Sequence, residues 1–167
     1  MDNYMTIKIT QSQFIEKVNL IRGEYLFFWI PIEYMIHFVI ARYYCTDKKK
    51  VIDLDTLLVE SKDMRAKILA LKNIMDKALP DKKENKKFTD NIFKKYELRN
   101  HFAHHLVELP KADFSTPYFN FISQGGYGSN QERKIVGHYD MGKHIEIIKE
   151  MQEITNAFVQ VLQSVEK

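Results

Sequence analysis

The segment Tyr96-Glu97-Leu98-Arg99-Asn100-His101-Phe102-Ala103-His104-His105 concentrates polar chemistry in a chain that otherwise consists mainly of apolar helical patterns. An arginine, an amide and three imidazoles fall within these ten residues. Arg99 carries a permanently charged, planar group that suits a phosphate, and His104 or His105 can accept or donate a proton near neutral pH. Side chains of these types are the ones that metal-free cleavage of a phosphodiester needs.

The same residues carry a resemblance to a known family. Arg99-Asn100, two further residues and Ala103-His104 form an RNxxAH pattern that resembles the signature of the HEPN superfamily. The predicted order of helices over residues 10–165 is also similar to that of HEPN domains. The resemblance implies an all-α fold, a four- to five-helix bundle formed by residues 1–167 as a single domain.

The resemblance also implies an activity. It indicates a metal-independent endoribonuclease in which the 2′-hydroxyl of RNA attacks the neighbouring phosphate and leaves a 2′,3′-cyclic phosphate. In that scheme His104 is a general acid or base, Arg99 binds the scissile phosphate, and Asn100 orients this pair of side chains or the phosphate. The residue after Ala103-His104 is often small in the family and is His105 here, so either imidazole could be the catalytic one. Neither a cofactor nor a metal is expected.

Several partners follow from the resemblance. RNA is the expected substrate, and two HEPN motifs usually meet across a dimer interface, which implies a homodimer with a composite site. The contexts known for the family are toxin–antitoxin pairs, phage defence and RNA processing, so an antitoxin or a nucleotidyltransferase is a further candidate partner. Some members keep the fold without cleaving RNA. The alternative function is therefore a non-catalytic helical module that binds a nucleotide, an RNA or a protein.

Two other interpretations of the histidines need no phosphodiester. Cationic side chains near the C-terminus of a helix interact favourably with its dipole and can be purely structural. His101 and His105 are four positions apart, the spacing of a two-ligand metal site, although such a site needs His138 or His144 as a further ligand. The RNxxAH pattern favours cleavage over both.

Lysines are frequent in residues 81–95, just before the motif. Such a charged run is most often a solvated surface. Lys94 and Lys95 precede Arg99 by about one helical turn, and with Lys87 they are predicted to bind the RNA backbone.

The helix that carries the motif is predicted to begin near Thr89 or Asp90, which suit a helix cap, and to end before Pro110. Arg99 and His104 are five positions apart, which separates them by about 140° around a regular helix. We therefore expect the helix to loosen at His104, His105 to take part, or a second copy to complete the site.

The whole chain is mildly basic, with 167 residues, a net charge of +3 and a pI near 8.8. This charge tolerates a polyanionic partner without requiring one. Cys45 is the single cysteine, so an internal disulfide is impossible and the cytoplasm is the predicted location. The N-terminal residues show no secretory signal pattern.

Residues 25–45 form the most apolar stretch. Glu33, His37 and Arg42 interrupt it, whereas a membrane span needs about 20 residues with few or no charges. We therefore predict a buried helix and no membrane. Glu33 and His37 are predicted to pair on one helix face, or Glu33 faces the pocket of the motif.

Apolar periodicity predicts the remaining elements. Thr10 and Gln13 form a candidate capping box at the start of a long first helix that Pro31 kinks. Further helices are predicted near Asp53 or Asp55, from about Ser61 to Leu79, and from Asp140 or Gly142 onwards. Between them, residues 111–140 are predicted to form a small hairpin or long loop, with a glycine-rich turn at 125–128.

Overall fold

The computed structural model describes residues 9–45, 47, 50, 63–110, 114, 117–123 and 134–165. Within these ranges the chain is mainly helical and carries one small three-stranded sheet, as expected of a predominantly α-helical fold. The helices are α1 (Gln11–Tyr44), α2 (Met64–Ala78), α3 (Lys82–His104) and α4 (His144–Val165). The strands are β1 (Leu106–Glu108), β2 (Tyr118–Ile122) and β3 (Ile135–Asp140). The helix predicted near Asp53 or Asp55 and the turn at 125–128 lie outside the described residues.

Helix α1 begins with the predicted capping box. The backbone N–H of Thr10 donates to Gln13 Oε1 at 2.8 Å, and the N–H of Gln13 donates to Thr10 Oγ1 at 3.3 Å. The helix continues through Pro31 as one element, which confirms the prediction of a single long helix. By length and composition it could cross a membrane, a test that core helices of soluble proteins also pass.

Helix α3 begins earlier than predicted, at Lys82 and not near Thr89 or Asp90. Asp81 caps it, because its Oδ1 accepts from the backbone N–H groups of Lys83 and Glu84, each at 3.0 Å. Thr89 lies inside the helix and donates its hydroxyl to the Asn85 carbonyl at 3.0 Å. The lysine-rich run is therefore helical, since a good cap and residues of high helix propensity outweigh its polarity.

The sheet has the order β1-β2-β3 and is antiparallel throughout. The hairpin of β2 and β3 is the one predicted between residues 111 and 140. Strand β1 was not predicted, because it is three residues long and becomes a strand only by pairing with β2. Its position directly after α3 places the sheet next to the end of the motif.

The chain divides into two compact units. The first consists of Met1–Leu26 and Arg99–Ile147, and the second of Phe27–Leu98 and Ile148–Lys167. In the first unit an aromatic cluster forms the core: the ring of Phe102 lies 5.1 Å from that of Phe121 and 5.0 Å from that of Tyr139. In the second, Phe88 packs against Phe158 with ring centroids 5.3 Å apart.

Candidate functional site

Arg99 and His104 are in contact at the end of α3. Arg99 Nη1 lies 3.5 Å from His104 Nε2, although the two residues are five positions apart. The helix does not loosen before His104, because the His105 N–H still donates to the His101 carbonyl at 3.1 Å. The long arginine side chain spans the angular separation, which is possible because His104 is the last helical residue.

Asn100 provides a second hydrogen-bond acceptor for Arg99 Nη1. Its Oδ1 accepts from Arg99 Nη1 at 3.3 Å. Arginine has no acceptor atom, so a hydrogen bond from Nη1 to His104 requires an unprotonated Nε2.

The site is open on the side of His104, whose side chain is exposed, whereas Arg99 and Asn100 are half-buried. Arg99 Nε is buried and has no hydrogen-bond partner among the described residues. The two hydrogen bonds of the guanidinium to described residues are both made by Nη1. A guanidinium held at one nitrogen and open at another can receive an anionic oxygen from outside.

His101 faces the sheet, and His105 packs against His101. Their ring centroids are 5.0 Å apart, and the ring of His101 is stacked on Phe121 at 5.3 Å. Gly137 lies beneath His101, where a Cβ atom would come within 3.4 Å of the imidazole Nε2. His105 Nδ1 is buried without a hydrogen-bond partner in the described part of the chain. The imidazole that touches Arg99 is thus His104, and His105 packs against His101.

The further ligand that a His101–His105 metal site needs is not His144. Both of its ring nitrogens are engaged: Nδ1 lies 2.7 Å from the Tyr139 hydroxyl and Nε2 lies 3.0 Å from Glu24 Oε2. Among the described residues no group of three or more His, Cys, Asp or Glu side chains is arranged to hold a metal ion.

Glu24, His144 and Tyr139 form a chain of hydrogen bonds that runs from the exposed Glu24 to the buried Tyr139. The sequence did not indicate it, because Glu24 and His144 are 120 positions apart. Burial raises the pKa of the Tyr139 hydroxyl well above its usual value, and the carboxylates of Glu24 and Asp140 raise it further. The phenol therefore stays neutral, and its oxygen is hydrogen-bonded to His144 Nδ1. Because Tyr139 packs against Phe102, the chain supports the helix end that carries the motif.

Arg22 is a second residue that the sequence did not indicate. Its Nη2 donates to the carbonyl of Ala103 at 3.3 Å. This carbonyl belongs to the last turn of α3, where backbone acceptors have no partner within the helix. A cation placed there satisfies one of them and also interacts favourably with the helix dipole.

The three predicted RNA-binding lysines differ in environment. Lys94 is exposed, and Lys87 is exposed with its ammonium 3.7 Å from Glu84. Lys95 is only 8% exposed, and its ammonium is hydrogen-bonded to Glu150 of α4. The ammonium groups of Lys94 and Lys87 can therefore bind a phosphate from solvent, whereas that of Lys95 is hydrogen-bonded to the Glu150 carboxylate in the same unit.

The predicted partners Glu33 and His37 each have a contact with another residue. Glu33 Oε2 accepts from the indole Nε1–H of Trp29 at 2.9 Å. His37 Nε2 lies 2.7 Å from the ammonium of Lys67, which is itself buried. These bonds account for polar groups inside an apolar helix.

No protein-family model, curated protein or solved structure matches this chain. The chemical interpretation of the site therefore depends on the geometry of Arg99, Asn100 and His104 and on the RNxxAH pattern that these residues form.

Proposed function

We propose that this protein is a HEPN-type, metal-independent endoribonuclease that acts in the cytoplasm. The observation that carries the proposal is the contact between Arg99 and the exposed imidazole of His104, with Asn100 on the same guanidinium nitrogen. A phosphate-binding fork and a proton acceptor are thereby held side by side at an open surface. The RNxxAH pattern supports the same function independently of the geometry.

The chemistry follows from these groups. When RNA binds, the imidazole of His104 turns from Arg99 Nη1 to the substrate and its Nε2 removes the proton of a 2′-hydroxyl, whose oxygen forms a bond to phosphorus while the bond from phosphorus to the 5′-oxygen breaks. Arg99 stabilises the charge that builds on the non-bridging oxygens, and Asn100 holds the guanidinium in place. The 5′-oxygen takes a proton from water or from His104 of a second copy. The products carry a 2′,3′-cyclic phosphate and a 5′-hydroxyl.

The substrate backbone is proposed to bind Lys94 and Lys87. Both are exposed residues of α3, the helix in which Arg99 follows them in sequence. Lysine ammonium groups on such a surface attract phosphates and release counterions when RNA binds. Lys95 is left out of this surface because its ammonium already contacts Glu150.

A homodimer is proposed to complete the site, and α1 offers a surface for it. Three apolar side chains at spacings of three and four lie on one stripe of the helix and are 60–67% exposed: Phe27, Ile30 and Tyr34. Contiguous exposed apolar residues of this kind commonly mark interaction surfaces. In a dimer one His104 could act as base and the other as acid.

The test is cleavage of a short single-stranded RNA with and without a chelator. Wild-type protein is expected to cleave equally in both and to yield a 2′,3′-cyclic phosphate, and a substrate with 2′-deoxy sugars is expected to remain intact. His104→Ala should abolish cleavage but retain RNA binding. His105→Asn is the matched control and should retain activity.

Two results would contradict the proposal. One is cleavage by His104→Ala at the wild-type rate, and the other is activity that disappears with the chelator. If the wild-type protein binds RNA without cleaving any substrate, the alternative of a non-catalytic binding module replaces the ribonuclease.

A further inference from the structure

An open groove lies on the sheet, within the same unit as the motif. Its volume is about 570 Å³, and it is lined by residues that follow β1 and by residues of all three strands: Glu108, Leu109, Pro110, Tyr118, Phe119, Asn120 and His138. A volume in this range is typical of small-ligand sites. Neither the RNxxAH pattern nor the proposed cleavage chemistry uses this groove.

The strand register places three polar side chains in one row across the groove. Glu108 is directly opposite Asn120, and Asn120 is directly opposite His138. Residues opposite each other in neighbouring strands point to the same face of a sheet. The other face carries the buried Phe119, Phe121 and Tyr139, so the polar row belongs to the face exposed to solvent.

Glu108 and Asn120 are already held in a fixed arrangement. Asn120 Nδ2 donates to Glu108 Oε2 at 2.8 Å. This bond leaves Glu108 Oε1 as an acceptor, together with the Asn120 carbonyl oxygen and its second N–H. The pair therefore presents acceptors and one donor side by side, the pattern that the edge of an amino-bearing nucleobase can satisfy.

Tyr118 supplies an aromatic surface beside this pair. It is two positions from Asn120 on β2, so it shares the solvent face, and 52% of its side chain is exposed. Proteins that recognise single-stranded RNA stack unpaired bases on exposed aromatic rings of this kind and hydrogen-bond to their edges. The carboxylate of Glu108 would repel a phosphate, so a base suits the groove better than the RNA backbone.

We propose that this groove is a nucleobase subsite that selects a base with an exocyclic amino group, namely adenine, cytosine or guanine, over uracil. The inference rests on the proposed ribonuclease function and names the part of the substrate that the sheet recognises. Tyr118 stacks on the base, and the Glu108–Asn120 pair accepts its amino group. Uracil offers a carbonyl oxygen where the carboxylate requires a donor, and is therefore disfavoured.

The groove lies close enough to the cleavage site for a single RNA molecule to occupy both. Glu108 follows His104 by four residues, so their Cα atoms are at most about 14 Å apart even along an extended chain. A single-stranded RNA can span this distance with a few nucleotides. The selected base is thus a near neighbour of the scissile phosphate.

The test uses a set of short single-stranded RNAs of constant length that carry the same base at every position, with one RNA for each of the four bases. Binding is measured by fluorescence anisotropy with His104→Ala, so that no substrate is lost, and cleavage is measured with the wild-type protein. Uracil is expected to weaken binding by about 5- to 150-fold relative to the preferred amino-bearing base, the usual range for one paired contact. Glu108→Gln should remove most of this preference. Glu146→Gln, an exposed glutamate on α4, is the matched control and should leave it unchanged.

The outcomes separate the two proposals. Loss of base preference in Glu108→Gln and in Asn120→Ala, with folding unchanged by circular dichroism, supports the subsite even if no RNA is cleaved. An unchanged preference in both variants overturns it, even if His104→Ala has lost cleavage. Equal binding of all four bases by His104→Ala also overturns it.

Discussion

Arg99 Nη1 lies 3.5 Å from His104 Nε2, so the guanidinium and the imidazole at the end of α3 form one polar group. Replacing Arg99 by lysine keeps the charge but removes the planar fork that can bind His104 and a phosphate together. We expect RNA cleavage by Arg99→Lys to fall about 100- to 1,000-fold, the usual cost of one donor that stabilises a transition state. RNA affinity should fall less than tenfold. Single-turnover rates and anisotropy measured on one RNA check both values, and a loss confined to affinity would contradict this role.

Lys94 and Lys95 are neighbours with opposite expected phenotypes. Lys94→Ala should weaken RNA binding on all sequences and reduce the salt dependence of binding by about one phosphate contact, with little change in stability. Lys95→Ala should leave that salt dependence unchanged and lower the free energy of unfolding by about 1 kcal/mol or less, because the Glu150 carboxylate that loses its partner is 42% exposed and stays solvated. Binding titrations at several salt concentrations and urea unfolding of both variants separate the two. If Lys94→Ala keeps the wild-type salt dependence, as Lys95→Ala is expected to, then Lys94 contacts no phosphate.

The Tyr139–His144–Glu24 chain predicts a loss of stability at high pH. Because burial raises the pKa of Tyr139, the folded protein keeps the phenol neutral while the unfolded chain ionises above about pH 10. The stabilisation is complete below that pH and is lost as the pH rises toward the folded-state pKa, by up to about 1.4 kcal/mol per pH unit.

Tyr139→Phe tests this chain directly. The variant should be about 1–3 kcal/mol less stable at pH 7, because His144 loses a buried hydrogen bond. Between pH 10 and 11 its free energy of unfolding should fall less steeply than that of the wild type. Urea unfolding at pH 7, 9, 10 and 11 measures both effects, and parallel curves for the two proteins would refute the assignment.

Arg22 is expected to act as a positioning residue for the motif. Arg22→Ala removes the donor to the Ala103 carbonyl and should let the last turn of α3 move, which displaces His104. Misplacement of a reacting group by about 1 Å can cost 100-fold in rate, so we expect kcat to fall between about 10- and 100-fold with little change in KM. Arg22→Lys should recover part of the rate. A fall in thermal midpoint without any change in kcat would indicate a purely structural role.

The apolar stripe on α1 predicts the oligomeric state. Phe27→Glu places a charge in the stripe and should convert the proposed dimer into a monomer, with loss of cleavage if the site is shared. Leu69→Glu, which changes a similarly exposed apolar residue on α2, is the control and should leave the mass unchanged. Sedimentation velocity measures the mass of each variant, and a wild-type monomer at micromolar concentration would rule out the interface.

Local patterns in the sequence were enough to predict much of the fold. The capping box of Thr10 and Gln13 predicted the start of α1, and the spacing of apolar residues predicted α2 and α4. Both signals can be seen in the sequence because they depend only on neighbouring residues. The hairpin of β2 and β3 followed from aromatic and β-branched residues on either side of a glycine-rich segment. The start of α3 was misjudged because two acceptable caps, Asp81 and Asp90, compete in a polar run whose helix propensity is high throughout.

Within the candidate site, the sequence alone supplied the residue types and their spacing: Arg99, Asn100 and His104 form a pattern that can be seen without coordinates. Only the tertiary structure decided which imidazole meets the guanidinium: His105 packs against His101, whose ring is stacked on Phe121 of the sheet. The same holds for Lys95, for Arg22 and for the Glu108–Asn120–His138 row. Their roles depend on partners that are remote in sequence or lie on other strands, and folding alone brings these partners together.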